Sequence, residues 1–220
     1  KLIKQNCLRM MRIVNNIIDI NRIETGFLKV NSSNINIVSL LENIIYSASE
    51  YANLKYINFI FDTDCEDYHL LCDPELIERI MLNLISNAIK FTGSDGTIWI
   101  NFQSGEEYVT ISVRDSGVGI PKDKLNTIFD RFEQVDNSSF VKNYSGSGIG
   151  LNLVKEIVQL HGGNITVTSQ VNEGSQFTIT LPVSDNAIPK IMEDKKVDQD
   201  NNVDTINIEM SDIYTGIDAS

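Results

Sequence analysis

The chain has 220 residues, 42% of them hydrophobic, and a formal net charge of −12; that is enough for one domain of ordinary size with a sizeable core, plus an appendage. The acidic balance excludes a general nucleic-acid surface, which needs clustered Lys and Arg to neutralise phosphates. Cys7, Cys65 and Cys72 are odd in number and lack CxxC spacing or nearby histidines, which argues against a disulfide framework or a zinc site and for a reducing cytoplasm.

No apolar run approaches the roughly 18 residues of a membrane span, and the N-terminus lacks the charged-then-apolar plan of a signal peptide. A soluble polypeptide is expected. Residues 1 to about 25 place Ile3, Cys7, Met10, Val14 and Ile17 at helical spacing, widened by Met11, Ile13, Ile18 and Ile20, with no Gly or Pro before Gly26. This pattern predicts a long amphipathic helix whose broad stripe and nearly 3.5-residue period suit a bundle seam. A short extended piece follows at Phe27 to Val30, then a core-packing helix from Val38 to Leu54 built on Leu41, Ile44, Ile45 and Ala48. Ile57 to Phe61 and Tyr68 to Cys72 read as strands flanking a polar turn. His69 lies in the second, where a lone histidine is more often structural than catalytic.

Asp73-Pro-Glu opens a helix with an N-cap and a proline in the first turn, running to about Phe91. Asn83, Asn87 and Lys90 share one face of it. They lie among Leu82, Leu84, Ile85, Ala88 and Ile89, where an idle amide is costly to bury, and an amide carbonyl is a suitable hard ligand for Mg²⁺. Thr97 to Phe102 and Tyr108 to Asp115 predict a hairpin pair. In the second strand Val109, Ile111 and Val113 share a face, and the strand carries Asp115 out at its end, followed at once by Ser-Gly-Val-Gly-Ile-Pro121. Ile128-Phe-Asp-Arg-Phe-Glu-Gln134 comes after a short helical stretch. Val135 to Ser147 is polar, aperiodic and rich in Asn, Ser and Gly, as expected of a mobile lid. Gly146, Gly148 and Gly150 then run into a helix over Leu151 to Leu160, and glycines at a helix N-terminus open backbone N–H groups to an anion. No Lys-Ser/Thr follows, so this is not a Walker A loop. His161-Gly-Gly163 caps the helix, and Ile165 to Ser169 and Gln176 to Leu181 close the sheet. From Asp185 to Ser220 nine acids stand against three lysines, a net of −6, and such a segment reads as a solvated tail.

Four blocks in this order, Asn83 to Thr92, Asp115 to Pro121, Ile128 to Gln134 and Gly146 to Leu151, resemble the ATP-binding domain of sensor histidine kinases, in the superfamily that also holds gyrase, Hsp90 and MutL. Each block alone is weak, and together they are specific. Asn15 to Gly26 looks like the second helix of the dimerisation and phosphotransfer hairpin of those kinases, and Glu173-Gly-Ser-Gln-Phe177 resembles their last glycine box. The resemblance covers residues 1 to 184. It implies an α/β two-layer sandwich, with a mixed, mainly antiparallel sheet under helices, preceded by one long dimerisation helix. It divides its span into that helix (1–26) and a catalytic ATP-binding domain (27–184); the acidic segment 185–220 lies outside it and, on its composition, is expected to be a disordered tail.

For the site, the resemblance implies ATP and Mg²⁺ as ligands. Asn87 coordinates the metal, Asn83 supports the phosphate side, Lys90 approaches the phosphates and Phe91 lines the pocket. Asp115 takes the exocyclic amine of adenine, which an acceptor-only carboxylate selects over guanine's carbonyl. Gly117, Gly119, Ile120, Phe132, Gly146, Gly148, Gly150, Leu151 and Thr178 complete the implied ATP-binding set. The implied reaction passes the γ-phosphoryl to a histidine nitrogen and on to an aspartate of a response regulator. The implied assembly is a homodimer through the N-terminal helix, with no nucleic acid. The acceptor histidine of the family sits in an H-E-[LF]-[RK]-T-P segment that neither His69 nor His161 matches, so it is expected upstream of Lys1, and the chain reads as the cytoplasmic portion of a longer parent whose membrane anchoring stays open. Two alternatives stay open as well. One is another ATPase of the superfamily, which would need a transducer domain after the nucleotide fold; the other is a degenerate module that binds nucleotide or a regulator without turnover.

Overall fold

In the computed structural model, residues 2–133, 147–183, 199–211 and 213 are described. The long helix expected at the N-terminus spans Leu2–Glu24 (α1). A four-residue strand, Ser33–Asn36 (β1), follows it and leads into α2, Ile37–Asn53. Asn36 is the N-cap of α2, its side chain accepting from the Ser39 N–H at 3.2 Å. The buried stripe of α2 is Ile37, Leu41, Ile44, Ala48 and Tyr51 with their neighbours Val38 and Ala52. Strands β2 (Asn58–Thr63) and β3 (His69–Cys72) precede α3, Pro74–Phe91.

α3 is the central helix, with Ile77, Ile80, Met81, Leu84, Ile85 and Ile89 almost wholly buried. Both ends are satisfied from outside. Asp73 Oδ1 accepts from the N–H groups of Glu75 and Leu76, and Oδ2 from that of Asn31. At the other end Lys55 Nζ donates to the carbonyls of Ile89 (2.7 Å), Lys90 and Thr92, a cation on the negative end of the helix. Burial there pushes the Lys55 pKa down to about 8.

The main sheet adds β4 (Thr97–Gln103), β5 (Tyr108–Asp115), β6 (Asn164–Gln170) and β7 (Gly174–Pro182) in the order β2-β4-β5-β7-β6. β2 pairs parallel with β4 and every other neighbour is antiparallel. Alternation turns Ile98, Ile100 and Phe102, then Val109, Ile111 and Val113, then Phe177, Ile179 and Leu181 onto one face. α2, α3 and the helix Gly150–Leu160 (α4) cover that face, giving the expected two-layer sandwich with a mixed, mainly antiparallel sheet.

Three local features differ from expectation. β1 has only one apolar residue, so it carries no alternation to announce it. It pairs antiparallel with β3, Ser33 opposite Cys72, in a separate two-stranded sheet. Residues 122–129 are turns rather than a short helix, held by bonds such as Lys124 N–H to Pro121 O. The third difference lies in the acidic segment expected to be a disordered tail: Gln199–Glu209 is a helix (α5), and Ile206, Met210 and Ile213 are buried. Their i, i+4, i+7 spacing makes one apolar stripe. It packs against α1 and α3, and full burial of such side chains stabilises by about 1.5–3 kcal/mol each.

α1 is two-faced. Ile20 is buried, and Arg79 of α3 pairs with Asp19 and bonds Asn16 Oδ1 at 3.3 Å. Burial raises the Asp19 pKa, against the lowering influence of Arg79 and Arg22. Met10, Met11, Val14, Ile17 and Ile18 face outward. No helix among the described residues is long and apolar enough to cross a membrane.

Candidate nucleotide site

One cavity lies between α3, the C-terminal ends of β5 and the start of β7, and the beginning of α4. Its floor is Asp115, the last residue of β5 and 5% exposed. The Gly117 N–H donates to Asp115 Oδ1 at 2.8 Å. Burial nonetheless dominates and pushes the Asp115 pKa up to about 6, while the backbone N–H groups of Gly117 and Ser175 pull it down. Near neutral pH this is an ionised, acceptor-only group in an apolar wall that includes Val113, Ile128 and Phe177.

The turn after Asp115 is buttressed by the β6–β7 connection. Ser169 Oγ accepts from the Ile120 N–H at 2.8 Å, and the Asn172 N–H donates to Val118 O at 2.8 Å. Gly119 sits at φ +68°, where a Cβ would collide with the Gln170 carbonyl. Only glycine satisfies both the dihedral and the close approach.

α3 supplies a polar face of Arg79, Asn83, Ser86, Asn87 and Lys90, and all but the first line the cavity. Asn83 Nδ2 donates to Arg79 O at 3.0 Å, which orients its oxygen toward α4; a Cβ on Gly150 would lie 2.6 Å from it. Lys90 is 6% exposed, with Nζ 5.0 Å from the centre of the Phe91 ring. The Asn87 amide faces the cavity and makes no hydrogen bond with another described residue. α4 starts at Gly150 with Ile149 as N-cap and no side-chain cap hydrogen bond. Among the described residues no side chain caps its first backbone donors, which leaves them open to a ligand.

The structure brings together Asn83, Asn87, Lys90, Phe91, Asp115, Gly119, Ile120, Gly148, Gly150 and Leu151. Gly117 lies beneath them, bonded to Asp115. Two predicted residues are elsewhere. Phe132 is 68% exposed at φ +63°, and its backbone, not its ring, serves the site by donating to Gly148 O at 3.0 Å. The neighbouring Phe129 makes the internal contact, edge-on to Phe177 with centroids 6.3 Å apart. Thr178 lies on the opposite face of β7, within reach of Gln176, because side chains alternate; Ser175 and Phe177 occupy the cavity side. Gly146 and the predicted lid up to that residue lie outside the described residues.

Arg12 of α1 was not anticipated as a lining residue, nor were Ser86 and Ser175. His161 is a structural residue. Its Nε2 accepts from the Asp73 N–H at 3.2 Å, so Nδ1 carries the proton and donates to Ile157 O at 2.9 Å. His69 lies on β3 beside Asp67, outside the cavity.

A strand-end carboxylate, an amide-bearing helix and an uncapped helix N-terminus around one cavity define a nucleotide-binding ATPase domain. Residues 72–185 match the histidine kinase-, DNA gyrase B- and HSP90-like ATPase family, and the chain belongs to it. Its relatives are histidine kinases, and the domain is the catalytic ATP-binding domain of that branch. It is 35% identical over 211 residues to hybrid signal transduction histidine kinase D of Dictyostelium discoideum, a match covering 94% of this chain and 14% of that protein. Among solved structures it is similar to full-length ShkA in complex with AMPPNP, with a TM-score of 0.72 and 25% identity over 80% of this chain and 36% of that one. It is also similar to histidine kinase ThkA in complex with the response regulator protein TrrA, with a TM-score of 0.64 and 25% identity over 80% of this chain and 48% of that one. The chain thus spans well under two thirds of these relatives.

Proposed function

We propose that this chain is the ATP-binding, phosphoryl-donating part of a sensor histidine kinase, and that the γ-phosphoryl of Mg·ATP passes from its cavity to a histidine nitrogen and then to an aspartate of a response regulator. The observation that supports this most directly is the pairing, in one cavity, of a buried carboxylate with an Asn87 amide that has no hydrogen-bond partner among the described residues, next to an α4 N-terminus without a side-chain cap. Asp115 accepts the exocyclic amine of adenine. Lys90 and the first N–H groups of α4 face the phosphates, and Asn83 orients that wall.

No group of three or more His, Cys, Asp or Glu among the described residues could hold a metal ion, so a divalent cation would be shared between the nucleotide's oxygens and the protein. The Asn87 oxygen, on the cavity wall with no hydrogen-bond partner among the described residues, fits that role. Mg²⁺ bound there would neutralise charge on the β- and γ-phosphates. In the transfer the bond from the γ-phosphorus to the bridging oxygen breaks, a phosphorus–nitrogen bond forms, the imidazole loses a proton and ADP departs. The domain contributes positioning and electrostatic complementarity, which is most of what phosphoryl transfer requires.

Neither histidine of the chain is placed to accept the group, since His161 has both nitrogens engaged and His69 is outside the cavity. The acceptor therefore belongs to another segment or molecule. The outward apolar face of α1, with Met10, Met11, Val14, Ile17 and Ile18, suits a second copy of this helix in a homodimer. The response-regulator partner rests on the ThkA–TrrA likeness. Residues 1–26 then act as a dimerisation helix and 27–184 as the catalytic domain.

Incubation with γ-labelled ATP tests the reading. The 220-residue chain should bind Mg·ATP yet acquire no acid-labile phosphate, whereas a version extended upstream by a histidine-bearing helix should become labelled. Labelling at His69 or His161 would overturn the assignment of the acceptor. An extended chain that folds, dimerises and binds nucleotide but stays unlabelled would favour a module without turnover.

A further inference from the structure

The polar face of α3 continues beyond the cavity into a seam with α1, and α5 closes that seam. Arg79 holds Asp19 and Asn16 toward one end. Toward the cavity the two helices are joined through a third element: the Glu209 carbonyl accepts from Arg12 Nη1 of α1 at 2.7 Å and from Ser86 Oγ of α3 at 3.1 Å. Arg12 and Ser86 both line the cavity. On its other side α5 is tied to α2, where the Tyr51 hydroxyl donates to Asn207 Oδ1 at 2.8 Å. Ile206, Met210 and Ile213 anchor it, and Met210 and Ile213 are wholly buried.

The polarity of this joint opposes the ligand. An anionic nucleotide favours cations and N–H donors, but α5 presents the carbonyl end of a helix, and that end carries partial negative charge. It engages Arg12, a cation on the cavity wall contributed by a different helix from the ones that build the site. Its buried residues are three apolar anchors with Glu209 and Ser211 beside them, and a segment held by so few apolar side chains opens locally before the core does.

We propose that residues 204–211, with Ile213, form an autoinhibitory latch: docked, they help fasten α1 to the nucleotide domain and keep Arg12 engaged on the Glu209 carbonyl instead of on an anionic ligand, and released, they free α1 to move and Arg12 to support the phosphates. The nucleotide half of this proposal rests on the ATP-site reading above. The mechanical half does not.

The full 220-residue chain carrying Met210→Asp, at a residue that does not line the cavity, separates the two. Amide exchange of α1 around residues 12–20 should speed up without nucleotide, while the melting transition of the core persists. Mg·ATP affinity by calorimetry should rise about two- to fivefold, the size of a helix-end charge effect. Adding Arg12→Ala should abolish that gain, a coupling read by the double-mutant cycle. Should Met210→Asp fail to fold, Ile206→Ala gives the same readings with a smaller perturbation. Unchanged exchange in α1 would overturn the latch, and faster exchange with unchanged affinity would overturn its inhibitory role. If the unmodified chain binds no Mg·ATP at all, the nucleotide reading falls, and the exchange measurement alone decides whether α5 fastens α1.

Discussion

At the end of β5 the cavity is built from backbone: Asp115 is buried, its carboxylate is tied to the Gly117 N–H, and the turn that follows is braced by the β6–β7 connection. Along α3 it is built from side chains, and Asn87 lines the cavity with no hydrogen-bond partner among the described residues. The first region is finished before any ligand arrives; the second is completed by one. This difference suits their tasks. Base selection needs a preorganised acceptor whose alternatives are costly, whereas a phosphate and metal site must leave valences open.

If that contrast holds, the largest loss comes from the finished side. Asp115→Asn keeps the shape but replaces an acceptor with a donor, removing a charge-assisted bond of about 1.5–3 kcal/mol. ATP affinity should fall roughly ten- to hundredfold, and discrimination against GTP should narrow. An ATP preference unaltered in competition binding would place the adenine site elsewhere.

On the open side the loss should be conditional. Asn87→Ala should weaken Mg·ATP binding about tenfold, as for one contact of about 1.4 kcal/mol, and leave metal-free nucleotide binding and the melting temperature nearly unchanged. Calorimetry with and without Mg²⁺ reads the split, and equal losses in both would remove Asn87 from the metal.

The two sides should also separate by pH. Because burial lifts the Asp115 pKa to about 6, lowering the pH through 6 protonates the acceptor and ATP affinity should drop, by about tenfold at pH 5. The Asp115→Asn chain should lack this drop. A titration with the same slope in both would assign it to another group.

Much of this site is legible in the sequence because it depends on short-range rules. An alternating strand ending in Asp115, two amides four apart on a helix and glycines ahead of α4 are local patterns. What was not legible depends on distance or parity. Arg12 reaches the cavity only because α1 packs against α4 and α5, elements that lie far from it in the chain. Thr178 and Ser175 differ by the parity of β7, and the polar set Gln176, Thr178 and Thr180 already marked the open face. α5 was hidden by composition: its acids outweigh the stripe of Ile206, Met210 and Ile213, so average polarity pointed to a tail while spacing pointed to a helix. β1 carries no readable pattern at all.

The smallest expected effect comes from a carboxylate that is less buried than Asp115 and lies outside the cavity. Glu78 on α3 is half-buried, its Oε1 has no hydrogen-bond partner among the described residues, and burial, with Glu75 adding repulsion, raises its pKa to about 7. A raised pKa means that the folded chain holds the proton more tightly than the unfolded one. The ionised form therefore weakens the fold above pH 7; that penalty shrinks as the pH falls from 7 toward 4.5 and is gone below it. A rise from the ordinary 4.5 to about 7 corresponds to roughly 3 kcal/mol, but solvent screening at a half-buried group cuts this to about 1 kcal/mol or less. Glu78→Gln, neutral throughout, should thus raise the melting temperature by a few degrees at pH 8 and leave it nearly unchanged at pH 4.5, with ATP affinity unaffected at either. A stabilisation of equal size at both pH values would mean that the gain comes from packing of the amide and not from removing a buried charge.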